Sequence, residues 1–256
     1  MPGPVALIRC LLPLGPLAMA AWLSGCSGLG REPPPIDTDT LARTARLRIG
    51  SHRLRLPVVA INRVDRPCAK PAFWPCSYGQ HELAGSASRG PALPVSSLTV
   101  TLTDYSTFQD SARDAWIAIP QLCGKLQQRW ARQQCSGPDL FPDHLRRFTL
   151  IVPSALAQTN SLGNIGGQKE KVREVVRRLR PWGQAPALHC APDGSGLCTA
   201  AFRVSDGVLA VWVLAATDAG PRPLRRQAAA IRAFVAHAAG EREADGQLIQ
   251  ALNSPR

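Results

Sequence analysis

Residues 187–240 read ALHCAPDGSGLCTAAFRVSDGVLAVWVLAATDAGPRPLRRQAAAIRAFVAHAAG, and this stretch decides the fold. Ala187 to His189, Thr199 to Val204 and Val208 to Leu214 are apolar runs of strand length. Ser205-Asp206-Gly207 supplies a tight turn between the second and third, and the Cys190 to Cys198 loop joins the first and second. The period then changes from strand to helix. Leu224, Ala228, Ile231 and Val235 recur on one face between Pro221 and Ala239, with Phe234 beside them. Pro221 and Pro223 open this helix and Gly240 follows its end, as the proline and glycine asymmetry of helices expects. The expected class is α+β: antiparallel sheet or sheets with amphipathic helices packed on one face, a C-terminal β-hairpin followed by a helix, and disulfide bracing.

Upstream, residues 46–61 read as a further hairpin. Leu47-Arg48-Ile49 and Leu54-Arg55-Leu56 alternate apolar with charged residues around a Gly50-Ser51 turn. Pro57 ends or edges the second strand, and Val58-Val59-Ala60-Ile61 continues extended. Ser97 to Thr103 resumes strand character, with Leu98, Val100 and Leu102 on one face and threonines opposite; Phe148 to Val152 is another short apolar strand. Helices are expected over residues 107–119, across the basic segment between Cys123 and Cys135, and over 168–180, where Val172, Val175, Val176 and Leu179 form a stripe. Between Pro67 and Pro94 the chain is rich in proline, glycine and serine and reads as a long irregular segment.

The N-terminal end carries an address. Arg9 precedes an apolar run from Cys10 to Leu23 that ends in Ser24 and Gly25, the order of a secretory signal. The run falls short of the roughly 20 apolar residues of a membrane-spanning helix, and Pro13 and Pro16 interrupt it. Leu23-Ser24-Gly25-Cys26 resembles the lipobox of bacterial lipoproteins. That resemblance implies removal of residues 1–25 and lipidation of Cys26. It also implies residence at the outer membrane facing the periplasm, since Ser27 and not an aspartate follows. Each buried methylene of such an anchor contributes about 0.8 kcal/mol. Residues 26–40, with Gly28, Gly30 and Pro33-Pro34-Pro35, read as a flexible tether, and 41–256 as the periplasmic domain, undivided or split at 41–155 and 156–256.

The chain has 30 Lys plus Arg against 18 Asp plus Glu, a formal net charge of +12. Such a balance suits anionic lipid headgroups or an acidic protein; the export signal disfavours nucleic acid. With Cys26 given to lipid and Cys10 lost, the six remaining cysteines fall into three close couples. These are Cys68 with Cys76, Cys123 with Cys135, and Cys190 with Cys198, and local disulfides are expected in an oxidising compartment. None has zinc-like spacing, and no metal or other cofactor is expected.

Two sets of residues suggest contact with a partner: Phe73 and Trp74 at the tip of the first cysteine loop, and Arg129 and Trp130 within the second. Burial of these aromatics against the sheet is the plainer alternative. Catalytic templates fail. Gly163-Asn164-Ile165-Gly166-Gly167 lacks the lysine and hydroxyl of a phosphate loop, no Gly-x-Ser-x-Gly elbow occurs, and the histidines are scattered. No catalytic residue is assigned, and the chain is not expected to be an enzyme.

The domain also resembles the periplasmic immunity lipoproteins of type VI secretion. The likeness rests on Arg48-Ile49-Gly50-Ser51 leading to Leu56-Pro57, on Thr103-Asp104-Tyr105, and on the Cys190 to Cys198 hairpin followed by an amphipathic helix. It implies a non-catalytic protein that binds and neutralises a secreted toxic effector. A structural or assembly lipoprotein of the cell envelope, and a periplasmic hydrolase with a site assembled in space, stand as alternatives.

Overall fold

The computed structural model describes residues 37–67, 77–78, 83, 90–101, 119–136, 145, 147–156, 169–179, 185–190, 196–240, 248 and 250, all within the compact unit Pro35–Arg256. The lipobox, the Cys68 to Cys76 loop with Phe73 and Trp74, Thr103-Asp104-Tyr105 and the glycine turn at 163–167 lie outside the described residues. In chain order the elements are α1 (Thr38–Ala42), β1 (Thr44–Ile49), β2 (His52–Pro57), β3 (Ile61–Asp65), β4 (Ser77–Tyr78), β5 (Leu93–Val95), β6 (Ser97–Thr101), α2 (Ile119–Lys125), α3 (Arg129–Ser136), β7 (Arg147–Ile151), α4 (Lys169–Arg178), β8 (Ala187–Cys190), β9 (Leu197–Ser205), β10 (Val208–Ala215) and α5 (Pro221–Ala239).

The fold is α+β, with the C-terminal hairpin β9–β10 followed by the helix α5. A seven-stranded antiparallel sheet has the order β4-β3-β6-β7-β10-β9-β8, and a smaller sheet the order β2-β1-β5. Because β7 pairs with β10, residues 41–155 and 156–256 contribute strands to one sheet and are not separate subdomains. The chain passes from the small sheet to the large one at Ser96. Its N–H and hydroxyl both donate to the Asp65 carbonyl, at 2.8 and 3.1 Å, while its own carbonyl accepts from Val152 N at 2.9 Å. Every polar group of that corner thereby has a partner.

Helices cover the large sheet on both faces. On one, Leu98, Val100, Phe148, Phe202 and Trp212 pack with the apolar face of β1–β2 and with Leu224, Ile231 and Phe234 of α5. On the other, Ile151, Ala201, Leu209 and Val211 meet Val172 and Val175 of α4 and Leu179 just after it. Double cover explains the composition of β10. A strand bare on one face alternates apolar with polar residues, whereas Val208–Ala215 is apolar throughout.

The aromatic core lies on the α5 side. Phe234 receives Trp130 and Phe148 edge-on at centroid distances of 4.9 and 5.6 Å. Trp212 buries its indole but donates Nε1–H to Gln227 Oε1 at 2.6 Å, so α5 supplies the polar partner that a buried tryptophan needs.

Two expectations are corrected and a third is refined. Val58 to Ala60 is a buried 3₁₀ turn and not extended chain. Val58 N–H still bonds to the Arg43 carbonyl at 2.9 Å, after which the turn carries the chain into the large sheet, burial overriding the strand preference of two valines. The tether does not run to residue 40, because α1 begins at Thr38 under an Asp37 cap and buries Thr40. The segment from Cys123 to Cys135 is helical as expected but in two pieces, since α2 ends at Lys125 and α3 begins at Arg129.

Candidate interaction surface

The β1–β2 hairpin follows from its sequence. Ala45, Leu47, Ile49, Leu54 and Leu56 point inward with at most 1% exposure, and each large one contributes about 1.5–3 kcal/mol of burial. Strict alternation then sends Arg46, Arg48, Arg53 and Arg55 outward, and all four are exposed. Register places Arg46 opposite Arg55 and Arg48 opposite Arg53. Cations therefore face cations across the ladder.

Hydrogen-bond parity shows how close they come. The two-residue turn Gly50-Ser51 makes Ile49 and His52 the first bonded pair, and the Val58 to Arg43 bond continues the same alternation at the far end. The Arg55 carbonyl points away from β1, where it accepts from Gln128 Nε2 at 3.0 Å. Both arginine pairs thus occupy non-hydrogen-bonded sites, where opposing Cα atoms are about 4.5 Å apart and side chains are nearest. Alternate residues along a strand lie about 7 Å apart. The four arginines consequently form a compact rectangle.

Among the described residues none of the four makes a salt bridge, and the acidic residue nearest in the fold is Asp206, in the turn that meets the hairpin tip. Asp65 faces Arg63 at 3.7 Å, Asp39 meets Lys125 at 2.6 Å, and Glu174 takes Arg177 and Arg178 at 2.7 and 3.4 Å. In water two unit charges this close repel by about 1 kcal/mol, and like charges directly opposite one another destabilise a hairpin. The apolar face outweighs that cost.

The hairpin is held at its tip and its edge. Gly50 has φ of +55°, and a Cβ there would lie 2.9 Å from Val208 Cγ2 and 3.4 Å from the Gly207 carbonyl, so only glycine lets the tip dock on the β9–β10 turn. Beside it, His52 Nε2 and Ser205 Oγ are 2.9 Å apart and join the two hairpins. At the edge, the Gln128 bond sets the start of α3 beside β2.

The residues expected to contact a partner separate here. Arg129 is exposed at the start of α3, next to the residue that grips the edge of β2. Trp130 is not a surface anchor: it is 1% exposed, packs on Phe234 and donates Nε1–H to Gln128 Oε1 at 2.7 Å. Arg46, Arg53 and Arg55 were not singled out by sequence, although the alternation of leucine and arginine around a two-residue turn already implies their shared face. Cys190 and Cys198 form the expected disulfide across β8 and β9, and Cys123 is also disulfide-bonded.

Other polar groups have structural roles. The buried Asp65 carboxylate accepts from Ser97 Oγ at 2.8 Å, and Thr99 and Thr149 bond to each other at 3.0 Å across β6 and β7. His52 and Ser205 make one contact of a nucleophile and a base, but among the described residues no carboxylate orients the imidazole. Among the described residues no three histidine, cysteine or acidic side chains gather as metal ligands, and no helix is long and apolar enough to cross a membrane. No protein-family model matches the chain, and no curated protein or solved structure does so either.

Proposed function

We propose that this chain is a lipid-anchored, non-catalytic binding protein of the bacterial envelope that captures and neutralises a secreted toxic effector in the periplasm. The arginine rectangle on β1–β2 carries this reading. Four cations are held against their mutual repulsion on a braced hairpin, and among the described residues none of them makes a salt bridge. Such a surface steers an acidic partner and fixes its orientation on arrival. A preorganised face also loses little side-chain and backbone freedom on docking. Neutralisation would be occlusion, the domain covering the effector's working cleft while Cys26 stations it at the membrane.

An envelope-assembly role is the second reading, supported by the same cationic face, which also suits an anionic envelope component. A coexpression experiment separates the two. The lipidated chain should protect cells challenged with the effector encoded beside it and should be recovered in complex with that effector. Full sensitivity with no recoverable complex removes the immunity reading. Changing Cys26 to Ala should leave an uncleaved or mislocalised precursor; normal processing and membrane retention of that variant would overturn the anchor.

A further inference from the structure

Resting on the reading of this domain as a binding protein, we infer that the arginine rectangle takes an extended acidic segment of a partner protein, with carboxylates on alternate residues. One carboxylate seats between Arg46 and Arg55, and the next between Arg48 and Arg53. Each cross-strand pair stands at a non-hydrogen-bonded site, where the two side chains start closest together, so both guanidiniums can reach a single anion placed between them. A carboxylate has about four lone-pair sites and accepts from two such forks. Successive pairs are two residues apart on the ladder, about 7 Å. Alternate side chains of an extended segment share one face at the same spacing, whereas adjacent side chains point to opposite faces. The acid-x-acid pattern is therefore the one that fits both pairs at once.

The surroundings favour a protein segment over a lipid surface. Elements that lie on membranes combine cations with apolar residues that enter the acyl boundary. Here the outward face of β1–β2 carries arginine, and the one large hydrophobic exposed among the described residues is Leu197, at the start of β9. Lipid attraction by charge alone also needs no register. The fixed register of this rectangle has a use only with a ligand whose charges are themselves spaced.

The test is an anisotropy titration of the full chain in nonionic detergent. The probes are a labelled peptide with three glutamates alternating with threonine and an isomer with the glutamates adjacent; a separate detergent-free flotation assay compares phosphatidylglycerol with phosphatidylcholine vesicles, since a lipid anchor inserts into both and only the difference reads the arginine face. The alternating peptide should bind at least tenfold more tightly than its isomer. The double variant Arg46→Gln/Arg55→Gln should lose at least tenfold in affinity and the preference with it. Arg46→Lys/Arg55→Lys keeps the charge but not the fork and should lose the preference alone. Equal binding of the two isomers, binding by neither, or a preference for phosphatidylglycerol over phosphatidylcholine vesicles that Arg46→Gln/Arg55→Gln abolishes would overturn the inference. These outcomes leave the immunity reading to its own trial, protection from the effector, so either can fail alone.

Discussion

Trp130 and Arg129 are neighbours with opposite fates. Trp130 is buried against Phe234, and truncating a buried tryptophan costs about 3–5 kcal/mol. Trp130→Ala should therefore lower the urea midpoint strongly, whereas Arg129→Ala, at an exposed position, should stay within about 0.5 kcal/mol of the parent. Equal small effects would contradict the burial. The burial was legible in principle: Leu122, Leu126 and Trp130 recur every four residues, and all three are buried. The basic neighbours Lys125, Arg129 and Arg132 drew the reading towards the surface instead.

Asp37 makes a second residue-scale prediction. Hydrogen bonds to Thr40, first from its backbone N–H and then from its hydroxyl, hold the Asp37 carboxyl below its ordinary value, and Arg43 adds to this. The folded state thus favours the ionised cap. Its contribution is complete above the unfolded carboxylate range and is lost as pH falls through the lowered folded value. Asp37→Ala should cost about 1 kcal/mol at neutral pH, and the gap to the parent should close below about pH 4. A gap independent of pH would show that the carboxylate is not the cap.

At the scale of elements, the β1–β2 hairpin sets stability against interaction. Arg53→Glu places an anion opposite Arg48 and replaces repulsion by attraction, which should raise stability by about 0.5–1 kcal/mol. In a chain of this size that is roughly 1–4 °C in Tm, measurable by calorimetry. The same change should weaken capture of an acidic partner. A fall in Tm would show that the cross-strand register is wrong.

The two hairpins and α5 were legible because their periods are local. The double cover of β10 is legible in its eight unbroken apolar residues together with the apolar stripes of two helices, 168–180 and 221–239, but nothing local says that the two helices take opposite faces. The partners of β7 and β5 were not legible. Residues 148–151 pair with 209–212, and β5 runs parallel to β1 across more than forty residues of chain, contacts that depend on tertiary packing and leave no local period.

For the whole molecule, the formal net charge of +12 first reads as a diffuse property of the chain. The fold concentrates part of it on one face, brackets that face with a glycine tip and a glutamine clasp, and among the described residues leaves its four arginines without a salt bridge. The disulfide between Cys190 and Cys198 braces the far edge of the large sheet, and a small ring of this kind contributes about 2.5–3 kcal/mol in the chain-entropy account. Docking through the arginine face, as proposed above, makes survival depend on that face. The most direct measurement is the survival of cells carrying either the parent chain or Arg46→Gln/Arg55→Gln, challenged with the effector and matched for membrane abundance by immunoblot. The parent should protect and the variant, equally abundant and folded, should not; full protection by the variant would show that the arginine face is not where the domain docks.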